Sequence, residues 1–259
     1  MKEELNKLLQ TSNIWRASAM NHTAASGISS GFPELDQLLP GHGWPKNGAI
    51  ELLHDQPGIG EIRLIMPALA QLSRNNSRWI AWIAPPYIPY PPALIAAGID
   101  LSRILMVKPG NAKDALWATE KALASGSCSA VLAWPGSKTR DKDIRRLQVA
   151  AKEGHCWNIL FRPIRVARQP SPAELRIMLQ PLHASALSDS SMVNISILKR
   201  RGGWATDIFP LNLRDDLNRM TPCFAELIVP FSPNRKNTGN RSHFPPQHGE
   251  DSGLSPMYS

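Results

Sequence analysis

The feature that most constrains this chain is a series of short apolar runs separated by helical patterns. The runs are Ala49 to Leu53 (interrupted by Glu51), Trp79 to Ile83, Ile104 to Val107, Ala130 to Trp134, and Ile159 to Phe161. Short runs without polar alternation belong to strands covered on both faces. Between them lie helical patterns. Ile62 to Ser73 is one, with Pro67 placed in its first turn, where proline is tolerated. Pro92 to Ala97 starts another, closed by Gly98. Ala112 to Ser125 is closed by Gly126, and Lys142 to Lys152 carries Ile144, Leu147 and Ala151 on one stripe. Repeated strand–helix–strand passages with short connectors predict a mainly parallel α/β sheet with helices on both faces. Leu175 to Leu179 and Val193 to Leu198 then predict two strands that extend one sheet edge in antiparallel fashion.

The chain has 259 residues, 42% of them hydrophobic, which suits one core domain with ragged ends. Leu5, Leu8 and Leu9 fall at helical spacing, so residues 1–16 read as an amphipathic helix. Residues 17–30 are small and polar and read as a linker. The core spans 31–212, and 213–259 reads as a flexible tail, rich in Pro, Gly, Ser and Asn from 232 onward. The N-terminus has no signal-type apolar run, and nothing reaches the roughly 18 apolar residues of a membrane span. A cytoplasmic protein with no membrane role is expected. Cys128, Cys156 and Cys223 lack disulfide or metal spacing, as in a reducing compartment. The histidines are scattered, so no metal site is expected. A net charge of +8 is compatible with a polyanion partner, and weak DNA binding is an expectation.

The stretch from Gly48 to Ile62 is placed like a phosphate-binding loop, after a strand and before a helix. A working loop reads G-x-x-x-x-G-K-[ST], its lysine on the phosphates and its hydroxyl on Mg²⁺. With Gly58 and Gly60 as the loop glycines, Glu61 stands in the lysine position and Ile62 in the hydroxyl position. A carboxylate repels a triphosphate, and isoleucine cannot hold magnesium. The reading is a tight turn without a cofactor.

Ser30-Gly31, Leu35-Asp36, Leu38-Leu39, Gly41 to Pro45, Gly48 and Glu51 are similar to the run that leads into the phosphate loop of the RecA family. That resemblance implies a RecA-like, P-loop NTPase-type fold with a degenerate nucleotide site. It places the family's catalytic glutamate at Pro85-Pro86 and its magnesium-associated aspartate at Trp134. Three ATPase elements are thus replaced, and no enzyme activity is expected. The resemblance puts DNA loops between Pro135 and Arg145 and between Arg162 and Glu174; both connections are short.

More specific strings resemble the ImuA family. They are Ile14-Trp15-Arg16, Gly41 to Pro45, Gln56 to Glu61, Ala84-Pro85-Pro86, Ala133-Trp134-Pro135, Leu160 to Pro163 and Leu198 to Gly203. This implies a non-catalytic adaptor of a DNA-damage-inducible translesion-synthesis complex in the SOS response. Its implied partners are an ImuB-like inactive Y-family polymerase, RecA and, indirectly, an error-prone α-type replicative polymerase. The stretch from about Pro67 to Pro163 also resembles SulA cell division inhibitors, through Arg78-Trp79, Trp82, Gly98, Arg103 and Phe161 to Pro163. The alternative implied is an SOS inhibitor acting on FtsZ through the region Arg78 to Arg103. The chain departs from that pattern at Ala93, where the family has tryptophan.

Partner or DNA contact is expected at Trp15, Arg78, Tyr87, Tyr90, Arg103, Arg162, Lys199, Arg200, Arg201 and Trp204. Lys199 to Trp204 could meet phosphates and stack a base, meet an acidic protein surface, or be a solvated strand end. Pro85 to Pro92, with five prolines in eight residues, is stiff. It presents Tyr87 and Tyr90 to a partner or plugs the vacant nucleotide site. Arg140, Lys142, Arg145 and Arg146 read as a solvated basic helix face.

Overall fold

In the computed structural model, which describes residues 27–182, 191–213 and 228–230, the apolar runs line up in one sheet. Its strands are β1 (Gly48–His54), β2 (Trp79–Ile83), β4 (Ile104–Val107), β5 (Cys128–Ala133), β6 (Trp157–Pro163), β7 (Leu175–Pro181), β8 (Met192–Arg200) and β9 (Phe209–Asn212). The order across the sheet is β4-β2-β5-β6-β1-β7-β8-β9. Pairing is parallel from β4 through β7. It is antiparallel for β7–β8 and β8–β9. A separate two-stranded sheet joins β3 (Tyr87–Pro89) to β10 (Ile228–Pro230). The helices are α1 (Pro33–Leu38), α2 (Glu61–Asn75), α3 (Pro91–Ala96), α4 (Ala112–Ala124) and α5 (Asp141–Glu153).

The period-2 geometry of strands sends alternate side chains to opposite faces. Ile50, Leu52, Ile80, Trp82, Leu132 and Ile159 pack with Leu35 of α1, Leu64 and Leu69 of α2, and Leu94 of α3. Ala49, Ala81, Ile83, Val131 and Leu160 pack with Leu123 of α4 and with Ile144, Leu147 and Ala151 of α5. The mixed α/β, mainly parallel sheet with helices on both faces is therefore the observed architecture. No helix among the described residues is long and apolar enough to cross a membrane.

Some boundaries differ from the sequence expectation. The core starts before Gly31, because Ile28 and Trp44 exchange backbone hydrogen bonds of 2.9 and 2.7 Å. Asp36 accepts from the Ser29 hydroxyl at 2.8 Å and the Ser30 N–H at 2.9 Å. Those contacts order residues read as linker. Pro67 lies inside α2 rather than in its first turn. Its ring packs on Gly31, where a Cβ would stand 2.5 Å from the Pro67 Cβ. Residues 228–230, within the stretch read as a flexible tail, form a strand because β3 offers a pairing edge. The N-terminal helix expected over 1–16, with Trp15, lies outside the described residues.

The run of β1 carries one charge, Glu51, fully buried. Its two carboxylate oxygens accept from Arg162 Nη1 on β6 at 2.5 Å and from Arg176 Nε on β7 at 2.6 Å. Arg162 also donates to the Thr139 carbonyl at 2.9 Å. Arg176 donates to the carbonyls of Val166, Gln169 and Ala167. Both arginines are buried, so this triad fastens the central strand to both neighbours. It also explains why Arg162 is not a partner or DNA contact: its guanidinium faces inward, to the only kind of group that compensates a buried cation. Removing one member of such a cluster strands an uncompensated charge, typically costing about 3–5 kcal/mol, whereas an apolar replacement of all members is often tolerated. Urea denaturation should therefore show Glu51→Ala destabilised by about 3 kcal/mol or more. The triple change Glu51→Leu, Arg162→Met, Arg176→Met should be markedly less damaging. Equal losses in the two variants would contradict this account.

Candidate functional site

The crevice at the carboxyl ends of the parallel strands is where folds of this kind place their sites. Here the chain's own side chains fill it. After β1 the loop 55–60 turns into α2 through Gly58 and Gly60, both at positive φ (89° and 113°), which glycine adopts readily. A Cβ on Gly60 would stand 2.4 Å from Leu213 Cδ1, so residue 213, just past β9, seals the turn. Glu61, the first residue of α2, is buried. Its carboxylate oxygens accept from the Gly58 N–H at 2.9 and 3.0 Å. The anion that a helix N-terminus favours is thus supplied from within the chain. Ile62 packs against the core.

Beside this loop, aromatic rings cross the strand ends. Trp134, directly after β5, stacks on Phe161 of β6 with centroids 4.4 Å apart and planes 10° from parallel. On its other side it stacks on Trp82 of β2 at 5.8 Å. The edge of His54, at the end of β1, meets Phe161 at 6.1 Å. The position compared with a magnesium-associated aspartate therefore holds one of the two inner rings of a four-ring ladder. Offset and edge-on rings gain about 0.5–1.5 kcal/mol per pair beyond burial. Among the described residues no group of three or more His, Cys, Asp or Glu is placed to hold a metal ion. Cys128 and Cys156 are buried, and burial pushes both thiols up.

The sheet's β4 edge presents a different surface. Large apolar side chains stand exposed there and nearby: Trp79 (45%), Ile88 (45%), Tyr90 (46%), Ile95 (59%), Leu105 (44%) and Met106 (40%). They are six of the ten exposed large hydrophobics among the described residues, so exposed apolar surface is concentrated between 79 and 106. Tyr87 is half-buried in β3. The two arginines expected here are partly committed. Arg78 donates to the carbonyls of Gly154 and His155 at 3.2 Å. Arg103 donates to the carbonyls of Ser73 and Asn76 and pairs with Asp100 at 3.2 Å. Asp100 lies below the usual carboxylate range because the Ser102 hydroxyl and N–H donate to it, with Arg103 adding attraction.

At the opposite side of the sheet, β8 ends in Lys199 and Arg200, and a turn through Arg201, Gly202 and Gly203 leads to Trp204. Arg200 is folded inward: Nε donates to the Trp204 carbonyl at 2.9 Å, and Nη1 donates to the Leu38 carbonyl. Lys199 Nζ donates to the Ser171 carbonyl at 2.7 Å. Arg201 is exposed, and the Trp204 side chain is 89% exposed. Sequence reasoning gathered these residues but did not separate Arg200, a structural staple, from Arg201 and Trp204, which face solvent. It missed Leu105, Met106 and Ile95; an edge position for the Ile104–Val107 run would have been the signal for the first two. On α5, Arg140 pairs with Asp143 at 3.4 Å and Arg146 pairs with Glu120 of α4.

Comparison with known proteins gives a consistent family. The profile described as "Cell division inhibitor SulA" matches residues 48–158. SulA of Photorhabdus laumondii is 35% identical over 122 residues, covering 47% of this chain and 68% of that protein. SulA of Klebsiella aerogenes is 28% identical over 154 residues, covering 57% of this chain and 90% of that protein. The crystal structure of SulA from Pseudomonas aeruginosa aligns with a TM-score of 0.37 and 28% identity, covering 44% of this chain and 97% of that one.

The filled crevice generates a sharp expectation for nucleotides. Calorimetric titration with Mg-ATP should show no saturable binding. The double variant Glu61→Lys, Ile62→Thr restores the motif's residues yet should not restore binding, because Leu213 still packs on the Gly60 turn and Trp134 still stands where a magnesium-associated carboxylate would be needed. Saturable binding by the unmodified chain would refute this.

Proposed function

Because the chain belongs to the SulA family of cell division inhibitors, we propose that it acts in the DNA-damage response by restraining cell division through direct binding to FtsZ, as a protein ligand rather than an enzyme. The observation that supports this reading best is the exposure of six large apolar side chains in the stretch from Trp79 to Met106. It lies inside the matched stretch 48–158 and overlaps the region Arg78 to Arg103 that the resemblance links to FtsZ. Exposed aromatic and aliphatic anchors beside a polar rim are what protein interfaces use. The arginines fit a supporting role: with their side chains tied to backbone carbonyls, Arg78 and Arg103 hold the surface in shape and leave recognition to Tyr90, Ile95, Leu105 and Met106. At the strand ends Glu61 accepts the Gly58 N–H and Trp134 stacks between Trp82 and Phe161, so these side chains are engaged in packing. A cytoplasmic location follows from this partner.

A second reading has an observation of its own. Substantial ordered structure lies outside residues 48–158: α1 before it, and β7, β8 and β9 after it. The placement of β1 at the sheet centre, with Gly58 and Gly60 turning into α2, fits a RecA-like core with a degenerate P-loop. On this reading the chain is an ImuA-type adaptor of translesion synthesis. Its partners are an ImuB-like inactive polymerase and RecA, with the α-type polymerase reached indirectly.

One experiment separates the two. Expression without DNA damage should make cells filament, and the purified chain should reduce FtsZ sedimentation under assembly conditions. Leu105→Glu with Met106→Glu, both at exposed positions, should abolish both effects while the protein stays folded. Normal division and unchanged FtsZ assembly, together with loss of damage-induced mutagenesis on gene deletion, would refute the inhibitor reading in favour of the adaptor.

A further inference from the structure

The most exposed large hydrophobic residue among those described is Trp204, at 89%. It does not sit on a loose loop. Gly202 takes a positive φ of 73°, and Arg200 and Gly203 form a β-bridge across the turn. The Arg200 guanidinium crosses Gly203 so closely that a Cβ there would stand 2.4 Å from Nε. Its bonds to the carbonyls of Trp204 and Leu38 tie the turn to the end of α1. Two residues on, the Thr206 N–H donates to the Ile197 carbonyl at 2.9 Å, and the Thr206 hydroxyl accepts from the Ile197 N–H at 2.9 Å. The backbone is therefore fixed on both sides of an indole that touches almost nothing.

The exposed residues near Trp204 in the chain include two cations, Lys199 and Arg201. Arg201, three residues before Trp204, is exposed, and Lys199 at the end of β8 is exposed with its Nζ donating to the Ser171 carbonyl. Gly202, Gly203 and Ala205 are exposed and offer little surface. Asp207 is the single acid between Arg201 and Leu213. A protein interface surrounds its anchor with further apolar area; between Lys199 and Leu213 the one other exposed large apolar side chain is Ile208, at 56%. A nucleobase needs one open ring face, and its phosphates need cations spaced along the strand. We propose that the Lys199–Trp204 turn is a single-stranded nucleic-acid contact: one base stacks on Trp204, and Arg201 and Lys199 hold the flanking phosphates. Because the base is recognised by its π-face alone, the contact does not read sequence. It is independent of the proposed division-inhibitor surface, which lies at the other edge of the sheet.

The test is a fluorescence titration of the full chain with single-stranded oligo(dT) of about 12 nucleotides at low salt. Binding should quench tryptophan emission. Trp204→Ala should remove that quench and weaken binding roughly tenfold, while Trp204→Phe keeps most of the affinity. Arg201→Ala should flatten the salt dependence by about 0.7 in log–log slope. Polyglutamate should neither quench nor displace the oligonucleotide. No oligo(dT) binding would overturn the assignment, as would binding unchanged in Trp204→Ala. Polyglutamate that quenches as well as oligo(dT) would also overturn it, by identifying an acidic protein segment as the occupant.

Discussion

The sheet depends on a single buried carboxylate. Glu51 sits mid-strand in β1, and its two oxygens each take one guanidinium, from Arg162 on β6 and Arg176 on β7. One anion facing two cations leaves a net positive charge inside the protein. Four further hydrogen-bond acceptors, the carbonyls of Thr139, Val166, Ala167 and Gln169, help to keep it there. Each carbonyl belongs to a connecting segment: 139 leads into α5, and 166–169 joins β6 to β7. The charge thus fixes loops as well as strands. Hydrophobic burial alone would favour many alignments of such strands; a charge with directional partners favours one.

A similar internal substitution runs through the crevice. The Glu61 carboxylate takes the loop N–H, and Trp134 takes the strand-end position between Trp82 and Phe161. Space and donors that could serve a ligand serve packing instead. The exposed apolar surfaces lie at the β4 edge and at the Trp204 turn, on opposite sides of the sheet.

The strands were legible because apolar runs of three to six residues flanked by turn residues carry a strong signal. The helices α2, α4 and α5 were legible from their stripes. Helix α1 was not: six residues starting at a proline show no full period. Strand β9 was hidden because Phe209-Pro210-Leu211-Asn212 contains a proline, which reads against a strand unless it lies at an edge, and β9 is an edge. The role of Arg162 was not legible because its partner is 111 residues away, beyond any local pattern. Glu51 was the available clue, since a lone charge in an otherwise buried run requires compensation from somewhere. The exposure of Trp204 and of Leu105 depends on strand order, which no local window contains.

The family match ends at residue 158, one residue after β6 begins at Trp157. The carboxylate of the triad lies within that match, while both of its guanidinium partners lie beyond it. Homology boundaries and mechanical boundaries therefore do not coincide in this protein. A fragment cut to the matched region would lose most of a central strand and leave an orphan charge in its middle. The smallest independently folding piece has to be drawn by electrostatic closure, through Arg176 at the least, and by the seal that Leu213 places on Gly60.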